Sequence, residues 1–119
     1  DSNGRESADS LAVRSNRARV EAYLEDNYGD AALSPGRIAQ GCNMSRSYLY
    51  KLFAEGETVM GRLRNRRLEA ARVRLATPDN PMTLTQIALA CGFSSSSEFS
   101  RLFRQRFGQS PRDYRATVG

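Results

Sequence analysis

The 119-residue sequence predicts an all-α fold of about seven helices, built as two helix-turn-helix subdomains joined by a long central helix. Three observations predict it. One pattern is written twice: Ile38-Ala39, Cys42, Ser45, Leu49 and Phe53, then Ile87-Ala88, Cys91-Gly92-Phe93, Ser95, Phe99 and Phe103. Each copy gives a short helix, a tight turn and a second helix that opens on a Ser and carries apolar residues four apart. An Arg-rich segment over residues 59–76 joins the copies, and no segment reads as a strand.

The elements follow in order. Helix one is predicted from Val13 to about Tyr28, with Val20, Tyr23, Leu24 and Tyr28 on its apolar side and Gly29 as its stop. Ser34 as N-cap and Pro35 in the first turn open helix two, which runs to about Gly41. Ser45 caps helix three, predicted to reach Ala54 or Glu55 before Gly56. Thr58 caps helix four, which ends near Ala76 because Pro78 follows. At 1.5 Å per residue that helix is roughly 27 Å long. Thr83 to Gln86 is a capping box that opens helix five. Cys91-Gly92-Phe93 makes the second turn, and helix six runs from Ser95 or Ser96 to Phe107, closed by a left-handed cap at Gly108. Ser110-Pro111-Arg112-Asp113 starts a short last helix, with Asp113 placed to return the cap. The domain therefore covers 13–119, with a first motif at about 34–55, a linker helix at 59–76 and a second motif at about 84–107. Aligning the second helices of the motifs pairs Ser45 with Ser95, Leu49 with Phe99 and Phe53 with Phe103, and leaves one extra residue in the second turn. The chain opens at Asp1, and residues 1–10 are polar, so 1–12 is expected to be a linker leaving an N-terminal domain that is not part of this sequence.

An apolar fraction of 39% suffices for a core. The net charge of +5 is unevenly spread. Residues 1–57 hold seven basic and nine acidic side chains, whereas residues 58–119 hold eleven Arg and four acids. A basic half favours a polyanion, although a solvated charged face has the same composition. Of the basic residues only Lys51 is not Arg. Arg suits phosphate and guanine through its forked donors, but GC-rich coding produces the same bias. No stretch approaches the ~20 apolar residues that span a bilayer, so no membrane partner is expected. With no His, no Gly-rich phosphate loop and no carboxylate cluster, neither a metal nor another cofactor nor enzymatic chemistry is expected. Cys42 and Cys91 fall at equivalent places in the two motifs, where small buried packing residues are wanted, not zinc ligands or a disulfide.

A helix in a major groove reads with the side opposite its buried stripe. That side carries Arg46, Ser47, Tyr50 and Lys51 in helix three, and Ser96, Ser97, Ser100 and Arg101 in helix six. The two sets match position for position. Arg101 and Lys51 can donate to guanine O6 and N7, Arg46 to a base or a phosphate, and Tyr50 can pack on a thymine methyl. The Ser residues discriminate poorly. Ser45, Ser95, Arg62, Arg66 and Arg104 are candidate phosphate contacts. Glu98 lies three residues after Ser95, the capping-box arrangement, and that role is preferred to accepting from cytosine. The stripes Leu49, Leu52, Phe53 and Phe99, Leu102, Phe103, Phe107 are core.

The run Ile87 to Arg104, with Phe107-Gly108-Gln109-Ser110-Pro111 and Tyr114-Arg115, closely resembles the signature of the AraC/XylS family of bacterial transcription regulators. The resemblance extends from about Val20 to Arg115. It implies a seven-helix, bilobed domain whose helices three and six enter successive major grooves from one side, with helix four fixing their separation. The ~27 Å helix suits groove faces about 34 Å apart. The residues it implies as base readers are Ser47, Tyr50, Lys51, Ser97 and Arg101. Glu98 and the Ser94–Ser97 run depart from the family pattern. The resemblance further implies an N-terminal effector or dimerisation domain, contact with RNA polymerase in an activator, and action in the bacterial cytoplasm at the nucleoid. Sequence-specific binding of double-stranded DNA that regulates transcription is the function expected, with a non-specific architectural DNA-binding protein as the alternative.

Overall fold

A computed structural model of the chain describes residues 2–118, with side chains from Ser10 onward. Its helices are α1 (Ser2–Asn27), α2 (Pro35–Gly41), α3 (Arg46–Leu52), α4 (Val59–Ala76), α5 (Leu84–Ala90), α6 (Ser96–Phe107) and α7 (Pro111–Val118), and there is no strand among the described residues.

Local chemistry sets most boundaries. Ser34 Oγ accepts from the Arg37 amide, and Pro35 occupies the first helical position, where its missing N–H costs nothing. Ser45 Oγ accepts from Tyr48 N, and Ser95 Oγ from Glu98 N. Thr83 and Gln86 form a reciprocal box: Thr83 Oγ1 accepts from Gln86 N, and Thr83 N donates to Gln86 Oε1. Ser110 Oγ accepts from Asp113 N. Gly108 closes α6 at φ 80°.

Two boundaries differ from expectation. Helix α1 starts at Ser2, not Val13. The sequence from Ser2 to Ala12 lacks proline, and Arg5, Glu6, Ala8, Leu11 and Ala12 favour helix, whereas apolar periodicity marks a helix only where it is buried. Of the linker expected over 1–12, Asp1 lies outside the described residues, and side chains are described only from Ser10. Helix α3 ends at Leu52, not at Ala54 or Glu55. Phe53 leaves the helix at φ −116° and ψ 30°, and its amide donates to Lys51 O and Tyr50 O, which tightens the last turn as the ring enters the core.

The chain forms two compact units. The first comprises Asp1–Asn27 and Leu33–Arg62, the second Tyr28–Ala32 and Leu63–Gly119. In the first, α1 packs on α2 and α3, and Val20, Leu24, Leu33, Ile38, Ala39, Cys42, Leu49, Leu52, Phe53 and Val59 are buried. In the second, α6 packs on α5 and α7. Its core joins Leu68, Ala71 and Leu75 of α4 to Ile87, Ala88, Cys91, Phe93, Phe99, Leu102 and Phe103. Phe103 stands at its centre, with its ring 5.7 Å from Phe99, 4.6 Å from Phe107 and 5.7 Å from Tyr114. Both predicted stripes are thus core, and both cysteines are buried and free.

Candidate nucleic-acid interface

The two turns that lead into α3 and α6 use one hydrogen-bond scheme. Cys42 N donates to Ile38 O and Cys91 N to Ile87 O; Met44 N donates to Ala39 O at 2.9 Å and Phe93 N to Ala88 O at 3.0 Å. The schemes coincide through Met44 and Phe93, which places the extra residue of the second turn at Ser94. Each turn needs a left-handed residue. Asn43 supplies it at φ 57°, Gly92 at φ 91°.

Different groups brace the two turns. In the first unit the brace is the side of α1. Asn16 Nδ2 donates to Tyr48 Oη (2.7 Å), Arg17 Nε to Leu52 O (2.7 Å) and Arg19 Nη1 to Cys42 O (3.1 Å). The two arginines thus satisfy carbonyls at the ends of α3 and α2 that have no helical partner. The Tyr23 ring lies so close to Gly41 that a Cβ there would overlap it. In the second unit the brace comes from α4 and from the segment after α1. Arg67 Nε donates to Tyr28 O (2.9 Å) and its Nη2 to Asp30 O (2.8 Å). Arg74 Nη1 donates to Tyr28 Oη and Cys91 Sγ, both at 3.2 Å.

Burial pushes the Arg67 pKa down, against the Coulombic pull of Asp30 and then Glu98. The hydrogen bond to Tyr28 is the main reason the Arg74 pKa is raised. Burial also pushes both thiols up, with Arg19 opposing at Cys42 and Arg74 at Cys91.

With Leu49, Leu52, Phe99 and Phe103 turned inward, α3 and α6 present their opposite sides to solvent. Arg46, Ser47, Tyr50 and Lys51 are exposed on α3, and Ser96, Ser97, Ser100 and Arg101 on α6. Tyr50 is 55% exposed. The Arg46 stem passes over Gly36 at the start of α2. The Lys51, Arg101 and Arg104 side chains are exposed and have no hydrogen-bond or ion-pair partner among the described residues. Ser45 and Ser95 are exposed, with their hydroxyls engaged as caps.

The arginines of α4 divide by task. Arg62 departs from the phosphate role expected of it. Its Nη1 meets Glu21 Oε1 at 2.9 Å, its guanidinium lies 4.9 Å from the Phe53 ring centroid, and its Nε is buried with no hydrogen-bond partner among the described residues. That charge is already partly matched, so a phosphate would have to compete with Glu21. Arg72 pairs with Glu69 at 2.9 Å and reaches Tyr114 Oη. Arg64 and Arg66 are exposed, and Arg66 also makes an intramolecular contact. Sequence reasoning did not assign Arg67 and Arg74 their tasks. The only hint was a glycine at both 29 and 92, positions where a backbone approaches closely.

Residues 38–117 match a family model described as a helix-turn-helix domain. The structure is similar to that of a transcriptional regulator with an AraC-type DNA-binding domain from Chromobacterium violaceum, with a TM-score of 0.80, 31% identity, and coverage of 92% of this chain and 96% of that one. The chain belongs to the AraC-type helix-turn-helix family. This AraC-type domain is also 43% identical over 98 residues to the transcriptional activator NphR of a Rhodococcus species, a match covering 82% of this chain and 29% of that protein. It is similar as well to the DNA-binding domain of the global transcriptional factor AdpA, solved with a target DNA. There the TM-score is 0.74 at 26% identity, over 84% of this chain and 89% of that one. The chain thus spans less than a third of the length of NphR.

Proposed function

We propose that this domain binds double-stranded DNA sequence-specifically and so regulates bacterial transcription, with α3 and α6 each entering a major groove. One observation carries the proposal. Two helices, each held from behind by a buried stripe and a matching turn, present solvent-facing side chains at the same four offsets from their caps. A rigid helix with a free polar side is what groove reading requires. Arg46, Tyr50 and Lys51 reach base edges from α3, and Arg101 does so from α6. Ser47, Ser96, Ser97 and Ser100 lie close enough for short or water-mediated contacts. Arg104, Arg66, Ser45 and Ser95 approach phosphates, while Arg62 is committed to Glu21.

The proposal includes an N-terminal partner domain for effector binding or dimerisation, contact with RNA polymerase in an activator, and a place in the cytoplasm on the chromosome. The similarity to NphR, a transcriptional activator, supports it.

Selection from a random duplex library tests the specific reading. A regulator should prefer its selected site over random duplex by ~10³-fold or more. A ratio near one would leave the architectural alternative. Affinity should also fall steeply with salt: with roughly six phosphates neutralised, log K against log salt slopes near −5. A slope near zero would remove nucleic acid as the ligand.

A further inference from the structure

We propose that Arg67 is a positioning residue for the second recognition helix: it holds the Tyr28–Asp30 backbone in the place against which the Gly92 turn docks, and so fixes how the chain enters α6. The inference rests on α6 being a reader.

The geometry is specific. Arg67 spans two carbonyls from one planar fork, Nε to Tyr28 O at 2.9 Å and Nη2 to Asp30 O at 2.8 Å. Tyr28 O and Asp30 O lie just past the end of α1, where carbonyls have lost their helical partners. The Tyr28 oxygen is also the atom that a Cβ at residue 92 would overlap, and the Arg67 side chain is next to it. Gly29 answers from the other side, because a Cβ there would come within 3.0 Å of Ala90 O, at the last residue of α5. Three elements therefore meet at one carbonyl: the segment after α1, the α4 guanidinium and the turn between α5 and α6. From Gly92, two residues, Phe93 and Ser94, lead to the cap at Ser95. Ser94–Ser97 are exposed and contribute no large side chain to anchor that run. Its position is then set at its start, by the docked glycine and the buried Phe93 ring beside it, and at its end, by Phe99 in the core.

The first unit has no such arrangement. There Asn43, not glycine, takes the left-handed position, and Asn16 holds α3 itself through Tyr48.

The test uses the full 119-residue chain and compares selected-site profiles of wild type, Arg67→Ala and Leu75→Ala at a temperature where circular dichroism shows each folded. Leu75 is buried in the same unit but takes no part in the brace, so its loss destabilises without repositioning. Arg67→Ala should flatten the profile beneath α6 and leave the profile beneath α3 intact. Affinity for the selected site should fall about tenfold, the scale of one lost base contact. Leu75→Ala should leave both profiles sharp. If Arg67→Ala does not fold, Arg67→Lys keeps the stem and charge without the planar fork and should show the same selective flattening. An Arg67→Ala or Arg67→Lys profile that stays sharp beneath α6, or blurs equally beneath both helices, overturns the positioning role. A wild-type profile already flat beneath α6 overturns the reading of α6, and the inference with it; that failure is visible before any variant is made.

Discussion

The two helix-turn-helix units carry the same turn, yet the first is held by side chains reaching from α1, while the second rests directly on a backbone carbonyl that an α4 side chain holds. Asn16, Arg17, Arg19 and Tyr23 reach from α1 onto α2 and α3. In the second unit the Gly92 turn lies directly on a carbonyl, and Arg67 holds that carbonyl in place. Their reading sides differ in the opposite sense. The first unit exposes the longer proposed readers, Arg46, Tyr50 and Lys51, while α6 offers Arg101 among serines. A short reader tolerates little displacement, because reach cannot compensate for a helix that sits too far from the groove. The closer docking of the second turn matches that need.

The largest losses are expected in the two cores. Phe103→Ala should cost ~3–5 kcal/mol by emptying the centre of four rings, and Leu49→Ala in the first unit ~2–5 kcal/mol. Chemical denaturation measures both. An unchanged midpoint for Phe103→Ala would show that the α6 stripe is not core.

A smaller effect separates the turns. Gly92→Ala combines a left-handed φ with an overlap on Tyr28 O and should cost at least ~1–3 kcal/mol. Asn43→Gly should be nearly neutral, since glycine takes that φ freely. Equal melting temperatures for the two variants would erase the distinction drawn here.

On DNA, Arg101→Ala should cost ~1–3 kcal/mol and relax the preference at one base pair, whereas Arg66→Ala should weaken all sequences about equally. The half-site beneath α3 should carry more information than that beneath α6. A selected-site profile with equal or greater information beneath α6 would mean that Ser- or water-mediated contacts discriminate after all.

The smallest effect is on pH. Burial raises both thiol pKa values, so the fold favours the protonated form. The resulting stability is full below the unfolded thiol value of ~8.5 and is lost as pH rises through the folded value. Melting temperature should therefore decline above pH ~8.5, and less in Cys91→Ala. An identical decline in that variant would assign the effect to other groups.

Caps and stripes were legible because they are local. Ser34, Ser45, Thr83, Ser95 and Gly108 act within four residues of themselves, and the spacing of Phe99, Leu102 and Phe103 fixes their face. The solvent sides of α3 and α6 followed from those stripes. The arginines were not legible, because a guanidinium's partner is chosen by tertiary proximity. Arg62 finds Glu21 forty-one positions away, and Arg67 finds Tyr28 thirty-nine away. Both look alike in sequence, and of the arginines of that helix only Arg64 and Arg66 are exposed. The start of α1 was missed for another reason: residues 2–12 carry no apolar period in the sequence, and only their helix propensity marks them.

The allegiance of Tyr28–Ala32 also decides how the molecule can be cut. Those residues belong to the second unit although the first flanks them on both sides, so a fragment beginning at Leu63 would lack a part of itself. Arg67 would lose both its acceptors and Arg74 its bond to Tyr28, and the Gly92 turn would lose the carbonyl it rests on. The second unit is thus completed by chain made before the first motif, and a nascent α6 has its seat waiting when it emerges.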